Sequence, residues 1–222
     1  MAKDQPSPEE KLRDRRRWMV QVQMRQRGIR DERVLAAMEE VPRECFVPPE
    51  ERGHALDDAP LPIGAGQTIS QPYIVALMVQ ELRPQGHHRV LDVGAGSGYQ
   101  TAILARLVAH VYAIERIAEL AGRARAVWDE LGVRNVTLRV GDGSLGWPEE
   151  APFDGIISGA ASPAIPPSWA GQLAEGGRIV APVGPSDNQE LVVAEKRQGR
   201  LFQQTVCGVR FVRLIGEQGW QP

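Results

Sequence analysis

Nine consecutive residues, Leu91-Asp92-Val93-Gly94-Ala95-Gly96-Ser97-Gly98-Tyr99, set three glycines at alternate positions directly behind an apolar run. Glycine lets a backbone turn tightly and approach a ligand closely, and a turn of this kind between a strand and a helix is where a doubly wound sheet receives a nucleotide. Two further acids suit the same crevice. Glu115, about 20 residues past the first glycine, can accept hydrogen bonds from both hydroxyls of a ribose. Asp142, inside Gly141-Asp142-Gly143, can accept from the amino group of an adenine. Each signal alone also fits a plain turn. Asp92, Glu115 and Asp142 at three successive strand ends, in order, point together to a bound cofactor.

The spacing narrows that cofactor. A dinucleotide fingerprint G-x-G-x-x-G would put its third glycine at position 99, where this chain has Tyr99 and the glycine falls at 98. The dinucleotide loop holds a pyrophosphate on a helix N-terminus. S-adenosylmethionine has no pyrophosphate; it carries a sulfonium and an amino-acid tail, and Asp92 suits the ammonium of that tail. Glu115 by itself does not separate the two cofactors, so an NAD-dependent dehydrogenase stays a distant alternative, disfavoured by Tyr99.

These residues need a frame. From Arg89 the pattern alternates strand and helix: Val90–Val93, Tyr99–Val108, Val111–Ile114, Ala118–Leu131, Val136–Val140, Phe153–Ser158, Pro167–Leu173 and Arg178–Ala181, with Gly176-Gly177 before the last strand. Such alternation predicts an α/β fold, a doubly wound and mostly parallel sheet with right-handed crossovers. Glu190–Lys196 and Leu201–Leu214 then read as two strands joined at Gln198-Gly199, a C-terminal antiparallel hairpin. Upstream, residues 1–8 read as a disordered tail. A helix runs from Glu9 to about Arg27 and ends at Gly28; a second runs from Asp31, its N-cap, to Glu40. Pro42–Gly66 reads as a long ordered loop, and Pro72 opens a helix to Leu82. The expected organisation is one domain over residues 9–222. It comprises an N-terminal helical and loop region (9–88), a cofactor-binding core (89–184) and C-terminal strands (185–222).

With 222 residues, 42% hydrophobic and 24% charged, the chain is long enough to bury one α/β core. Its formal net charge of −2 gives no global attraction for nucleic acid or anionic lipid. The cluster Arg13, Arg15, Arg16 and Arg17 reads as a solvated helix face beside Glu9, Glu10 and Asp14. Cys45 and Cys207 have no metal-ligand or disulfide spacing and read as packing residues; no metal is expected. No apolar run approaches the ~20 residues that span a bilayer, and no secretory signal is visible, so a cytoplasmic location is expected.

Over about residues 20 to 214 the sequence resembles the bacterial protein-L-isoaspartate O-methyltransferases, with a Rossmann-like class I methyltransferase fold. The distinctive stretch is Leu61-Pro62-Ile63-Gly64 followed by Gly66-Gln67-Thr68-Ile69-Ser70-Gln71-Pro72-Tyr73, a hallmark that general methyltransferases lack. Further matches are Val41-Pro42-Arg43, Gly98-Tyr99-Gln100, Ile114-Glu115-Arg116, Gly141-Asp142-Gly143 with Gly146-Trp147, Gly176-Gly177, Pro182-Val183-Gly184 and Arg210-Phe211-Val212.

The resemblance implies transfer of a methyl group from S-adenosylmethionine, leaving S-adenosylhomocysteine, to the free α-carboxylate of isoaspartyl residues in aged proteins and peptides. The ester then closes to a succinimide without further catalysis, and hydrolysis returns some normal aspartate. The accepting carboxyl, with a pKa near roughly 3 to 4, is already ionised at neutral pH. Positioning and desolvation are therefore needed rather than a strong base, consistent with His54, His87, His88 and His110 lying outside the matched loop. The resemblance places the active-site serine at Ser70, with Thr68 the second hydroxyl. On local sequence alone Ser70 reads as the N-cap of the helix after Pro72, and both roles can coexist because a helix N-terminus attracts a carboxylate. The resemblance also implies cofactor contacts from Asp92, Gly94, Ala95, Gly96, Ser97, Glu115, Arg116, Asp142 and Gly143. Contacts with the acceptor peptide are expected from Ile69, Gln71, Tyr73, Val212 and Arg213. Trp147 reads as packing.

Some positions depart from the family pattern. Asp92 stands where Glu is usual and Ala95 where Thr is frequent. Ser158-Gly159-Ala160-Ala161 matches its run loosely, and Arg213 replaces a proline in the closing segment that helps form the peptide cleft. Two further alternatives follow: a methyltransferase of another acceptor, which Arg213 alone supports, and a module that binds cofactor or damaged peptide without transfer. A monomer is expected, because peptide substrates need an open cleft.

Overall fold

A computed structural model of the chain describes residues 7–221. Helix α1, Pro8–Met19, starts in a capping box: the Glu10 amide donates to Ser7 Oγ (3.2 Å) and the Ser7 amide to Glu10 Oε2 (2.7 Å). Ser7 and Pro8 thus belong to a helix start, which corrects the tail expected over 1–8; residues 1–6 lie outside the described residues. The helix continues through a π turn, Val20–Met24, and a 3-10 turn, Arg25–Arg27, and stops at Gly28 in the left-handed region (φ 102°). Helix α2, Glu32–Glu40, is capped by Asp31 as its sequence predicts. The arginines of α1 are not merely solvated. Arg16 pairs with Glu44 and donates to the Glu39 carbonyl, and Arg17 pairs with Glu39 at 2.8 Å, which ties α1 to α2 and the turn beyond it.

The expected loop over Pro42–Gly66 holds more structure. Two 3-10 turns, Arg43–Phe46 and Pro49–His54, lead into strand β1, Leu61–Gly64. This pairs antiparallel with β2, Gln67–Ile69, in the register Leu61↔Ile69. Strands this short, one containing Pro62, carry too little alternation to be read in advance, and their pairing is a property of the folded chain. Helix α3, Pro72–Leu82, matches its predicted bounds.

Next come β3 (Arg89–Val93), α4 (Tyr99–Ala105), β4 (His110–Glu115), α5 (Ala118–Glu130), β5 (Val136–Val140), β6 (Phe153–Ser158), α6 (Pro167–Gln172), β7 (Leu173–Val183), β8 (Gln189–Arg197) and β9 (Arg200–Val209). The last seven strands form one sheet in the order β5-β4-β3-β6-β7-β8-β9. β5, β4, β3, β6 and β7 are mutually parallel, and β8 and β9 run antiparallel. The strand order reverses between β3 and β6, which opens a crevice beyond their C-terminal ends.

Two boundaries differ in substance from the sequence reading. β7 starts at Leu173 and passes through Gly176-Gly177 rather than starting after them. The strand expected to reach Leu214 leaves the sheet after Val209. From there the chain crosses the strand ends, where the Ala161 amide donates to the Val212 carbonyl (2.8 Å) and the Leu214 amide to the Ala161 carbonyl (2.7 Å).

Core packing follows strand parity. On β3, Val90 joins the cluster that contains the N-terminal helices, α3 and α4, while Leu91 and Val93 join the opposite cluster with Phe153, Ile156 and Trp169. Among the described residues, no helix is long and apolar enough to cross a membrane.

Candidate active site

The glycine loop hangs from the end of β4. Gly94 and Ala95 both donate their amides to the Ile114 carbonyl, at 2.8 and 3.1 Å, and the Gly96 amide donates to Glu115 Oε2 at 2.8 Å. Behind the loop stands Trp128 of α5, whose indole donates to the Gly98 carbonyl (2.9 Å). A Cβ on Gly98 would lie 2.7 Å from that ring, and its φ is 86°, so the position excludes other residues twice over. Across the topological switch, a Cβ on Gly159 would sit 2.9 Å from the Gly94 carbonyl oxygen. The two chain segments close on each other because Gly159 carries no side chain there.

The crevice above this loop is lined by Gly94, Gly96, Glu115, Arg116 and Gly143, with apolar walls from Val93, Ile114, Ile117, Leu214 and Ile215. Glu115 is 6% exposed, and its two oxygens each accept one backbone amide, from Gly96 and Ile117. A carboxylate has about four acceptor sites, so capacity remains for two hydroxyls. A buried acid between flat apolar walls suits a ribose joined to a purine, and the glycine cradle leaves room for a ligand to approach the backbone.

Other residues named from sequence lie elsewhere. Strand parity turns Asp92 away from the crevice and under α4, where it is fully buried and accepts from Thr101 Oγ1 (2.6 Å) and Gln100 Nε2 (2.8 Å). Burial pushes its carboxyl up to about 6 despite those two donors. From there it braces the loop from below. Ala95 is buried in the core, and Ser97 faces a separate groove beside Leu120 and Arg123. Asp142 is occupied as well, accepting from the Ser144 amide (2.8 Å), the Ser144 hydroxyl (2.7 Å) and the Glu217 amide (2.7 Å). Burial alone would raise its carboxyl, but these bonds, that from Glu217 foremost, hold it below the usual aspartate range. Its bond from Glu217 ties down the C-terminal segment that brings Leu214 and Ile215 over the crevice.

A second opening, of ≈ 550 Å³, is lined by Thr68, Ser70, Gln71, Ile74, Gly159, Gln189, Phe211 and Val212, among others. Ser70 does not cap α3. The N-cap is Gln71, without a side-chain bond, and Asp58 takes the capping role by accepting the Tyr73 amide (3.3 Å). The Ser70 side chain is left for the cleft. Gln71 lines the cleft while donating to Asp58 Oδ2 (2.7 Å). Ile69 is buried in the core, and Tyr73 is covered by the Arg27 guanidinium, 3.7 Å from its ring centroid; neither lines the cleft. Arg213 borders the crevice and lies 5.3 Å from the Trp220 ring centroid. Trp147 packs on Tyr112, as expected.

The two openings meet. Thr68, Gly159 and Val212 line both. Sequence reasoning missed Gly159 and Ala160, although a glycine just past the apolar strand beyond the switch was a usable signal. It also missed Gln67, Ile74, Leu214 and Ile215, whose apolar or neutral side chains carry no local mark of a site. No histidine lines either opening.

Comparison with known proteins agrees over almost the whole chain. A family model described as protein-L-isoaspartate(D-aspartate) O-methyltransferase matches residues 15–219. A protein-L-isoaspartate O-methyltransferase of Methanoculleus marisnigri is 53% identical over 94% of this chain and 95% of its own length. One from Syntrophobacter fumaroxidans is 52% identical over 96% and 98%. A solved protein-L-isoaspartate O-methyltransferase superposes with a TM-score of 0.82 at 28% identity, covering 93% of this chain and 67% of that one. Another, from Plasmodium falciparum in complex with S-adenosyl-L-homocysteine, gives 0.80 at 25%, covering 90% and 98%.

Proposed function

This chain belongs to the protein-L-isoaspartate(D-aspartate) O-methyltransferase family, and from that premise we propose how its two openings divide the work. The enzyme is an S-adenosylmethionine-dependent protein carboxyl methyltransferase that repairs aged proteins by methylating the α-carboxylate of L-isoaspartyl residues. The observation that carries the assignment of parts is the shared lining of Thr68, Gly159 and Val212, where a crevice shaped for a nucleoside opens into a cleft wide enough for a peptide.

On the crevice side, Glu115 takes the ribose hydroxyls, Gly94 and Gly96 let the ligand lie against the backbone, and Arg116, Gly143, Leu214 and Ile215 complete the walls. Bound there, S-adenosylmethionine supplies an electrophilic methyl group on a sulfonium. On the cleft side, the chain's task is to hold a carboxylate. The Ser70 hydroxyl, released from helix capping, and the Thr68 hydroxyl at the junction are the donors that orient it. Gln71 and Val212 contact the flanking peptide, and Arg213 borders the seam. No side chain has to remove a proton, since the acceptor is ionised at neutral pH. Orientation and exclusion of water do the work, and alignment of reactants can be worth several kcal/mol. The near-zero net charge and the open cleft support a cytoplasmic monomer acting on isoaspartyl proteins and peptides without nucleic-acid or membrane partners.

The deciding experiment uses methyl-labelled S-adenosylmethionine and two synthetic peptides that differ only in isoaspartate or aspartate at one position. Base-labile label on the isoaspartyl peptide alone is the expected result. Cofactor binding with neither peptide labelled would turn the search to another acceptor.

A further inference from the structure

Arg43 is fully buried, yet none of the hydrogen bonds from its guanidinium goes to a carboxylate. Nε donates to the Ala55 carbonyl (2.7 Å), Nη2 to the Ala59 carbonyl (3.2 Å) and Nη1 to the Ser70 carbonyl (2.9 Å). The Tyr99 ring centroid lies 5.4 Å from the guanidinium carbon. Burial pulls the group down to about 10, so it remains a cation at neutral pH. A buried charge hydrogen-bonded only to neutral carbonyls costs several kcal/mol, which the nearby Asp58 carboxylate offsets only in part, and an apolar side chain of similar size would avoid that cost.

What the arginine supplies is a planar fork with donors in fixed directions, which a lysine lacks. Here the fork joins three carbonyls that lie well beyond Arg43 along the chain: Ala55 at the end of the second 3-10 turn, Ala59 in the stretch before β1, and Ser70 after β2. Within the segment from Ala55 to Gln71 the internal links include the short β1–β2 ladder, the Ala59 amide on the Asp57 carbonyl and the Gln71 side chain on Asp58. Asp58 acts from the other side of Ser70, accepting from the Gln71 side chain and from the Tyr73 amide while pairing with Arg27. The backbone at Ser70 is thus held on both sides, from Arg43 and from Asp58.

We propose that Arg43 is a positioning residue for methyl transfer: through the Ser70 carbonyl it fixes the acceptor-side hydroxyl against the junction of crevice and cleft. This rests on the reading of Ser70 as the carboxylate donor. A displacement of about 1 Å at a reacting centre can cost about 100-fold in rate, so loosening the fork acts on turnover while the cofactor crevice, built mainly on the glycine loop and the strand ends around Glu115 and Gly143, stays intact.

The test uses the full chain with Arg43→Lys, Arg43→Gln and Arg43→Ala. Peptide kcat and KM, calorimetric affinity for S-adenosylhomocysteine, and amide exchange over residues 55–71 are measured together. Expected is a fall in kcat of about 100-fold for Arg43→Ala, with affinity for S-adenosylhomocysteine changed less than about threefold because neither Arg43 nor any of the three carbonyls it holds belongs to a residue lining the crevice. Exchange should quicken in 55–71 but not at the glycine loop. Methylguanidinium, which can enter the hole left in Arg43→Ala, should restore part of the turnover. Full turnover in Arg43→Lys or Arg43→Ala overturns the proposal. So does a parallel loss of S-adenosylhomocysteine affinity, or failure of all three variants to fold, since either would make the arginine a general support. If the wild-type protein methylates no isoaspartyl peptide, the underlying reading fails instead, and that control separates the two.

Discussion

On the cofactor side, the glycine loop is slung from β4 by backbone bonds, and Glu115, a charged support, comes from the strand next door. On the acceptor side, residues 55–71 hang on side chains from elsewhere: Arg43 on three carbonyls, Gln23 on the Leu56 carbonyl (2.9 Å) and Arg123 on the Ile63 carbonyl (2.8 Å). Strand register cannot slip without moving a whole face of the sheet, so the first arrangement is rigid. The second concentrates its stiffness in a few groups, so single substitutions can loosen it. That suits a cleft that must admit varied peptides beside a crevice that holds one small molecule.

The strongest challenge to this contrast is Gly98→Ala. The added carbon meets Trp128 and the backbone stays in the left-handed region, so the cofactor side should lose about 3–5 kcal/mol of stability together with most S-adenosylhomocysteine affinity. Denaturant titration and calorimetry would show it; an unchanged midpoint would mean that the loop is pliable after all.

Asp92 sharpens the same side through pH. Its carboxyl, raised to about 6 when folded and near 4 when unfolded, holds its proton more tightly in the native chain. Its contribution to stability is therefore full below pH 4 and is lost as pH rises through 6. Measured at pH 4 and pH 7.5, the stability of the wild type relative to Asp92→Asn should fall by about 3 kcal/mol. A difference that does not vary with pH would place the carboxyl in a more polar setting than its burial indicates.

On the acceptor side, Ser70→Ala should lower kcat about 30-fold, the worth of a hydrogen bond of about 2 kcal/mol to a charged group, and leave S-adenosylhomocysteine affinity unchanged. Equal turnover would remove Ser70 from the mechanism. The smallest effect belongs to the seam. Arg213→Ala gives up an exposed stacking contact with Trp220 worth about 0.5–1 kcal/mol. It should raise KM for S-adenosylmethionine by about twofold to fivefold, and a change confined to peptide KM would assign Arg213 to the cleft.

Much of the cofactor side was legible because its signals are local. The glycines, Glu115 and the strand–helix alternation lie within short windows, and that alternation implies a parallel sheet with right-handed crossovers. The acceptor hydroxyls were legible only through a resemblance: taken locally, Ser70 reads as a helix cap, and it is free of that task because Asp58 performs it from outside the window. Asp92 and Asp142 were read as ligand contacts from their places at strand ends. What the local pattern does not carry is that Asp92 is buried against Thr101 and that Asp142 also holds the Glu217 amide.

Sequence by itself determined the doubly wound sheet, the glycine turn and the identity of its neighbouring acids, because periodicity and turn chemistry act over a few residues. Tertiary structure alone decided which of those acids face the crevice, which glycine Trp128 makes irreplaceable, and how Arg43 reaches Ser70. Those outcomes depend on which atoms meet across tens of residues, and no local pattern encodes such meetings.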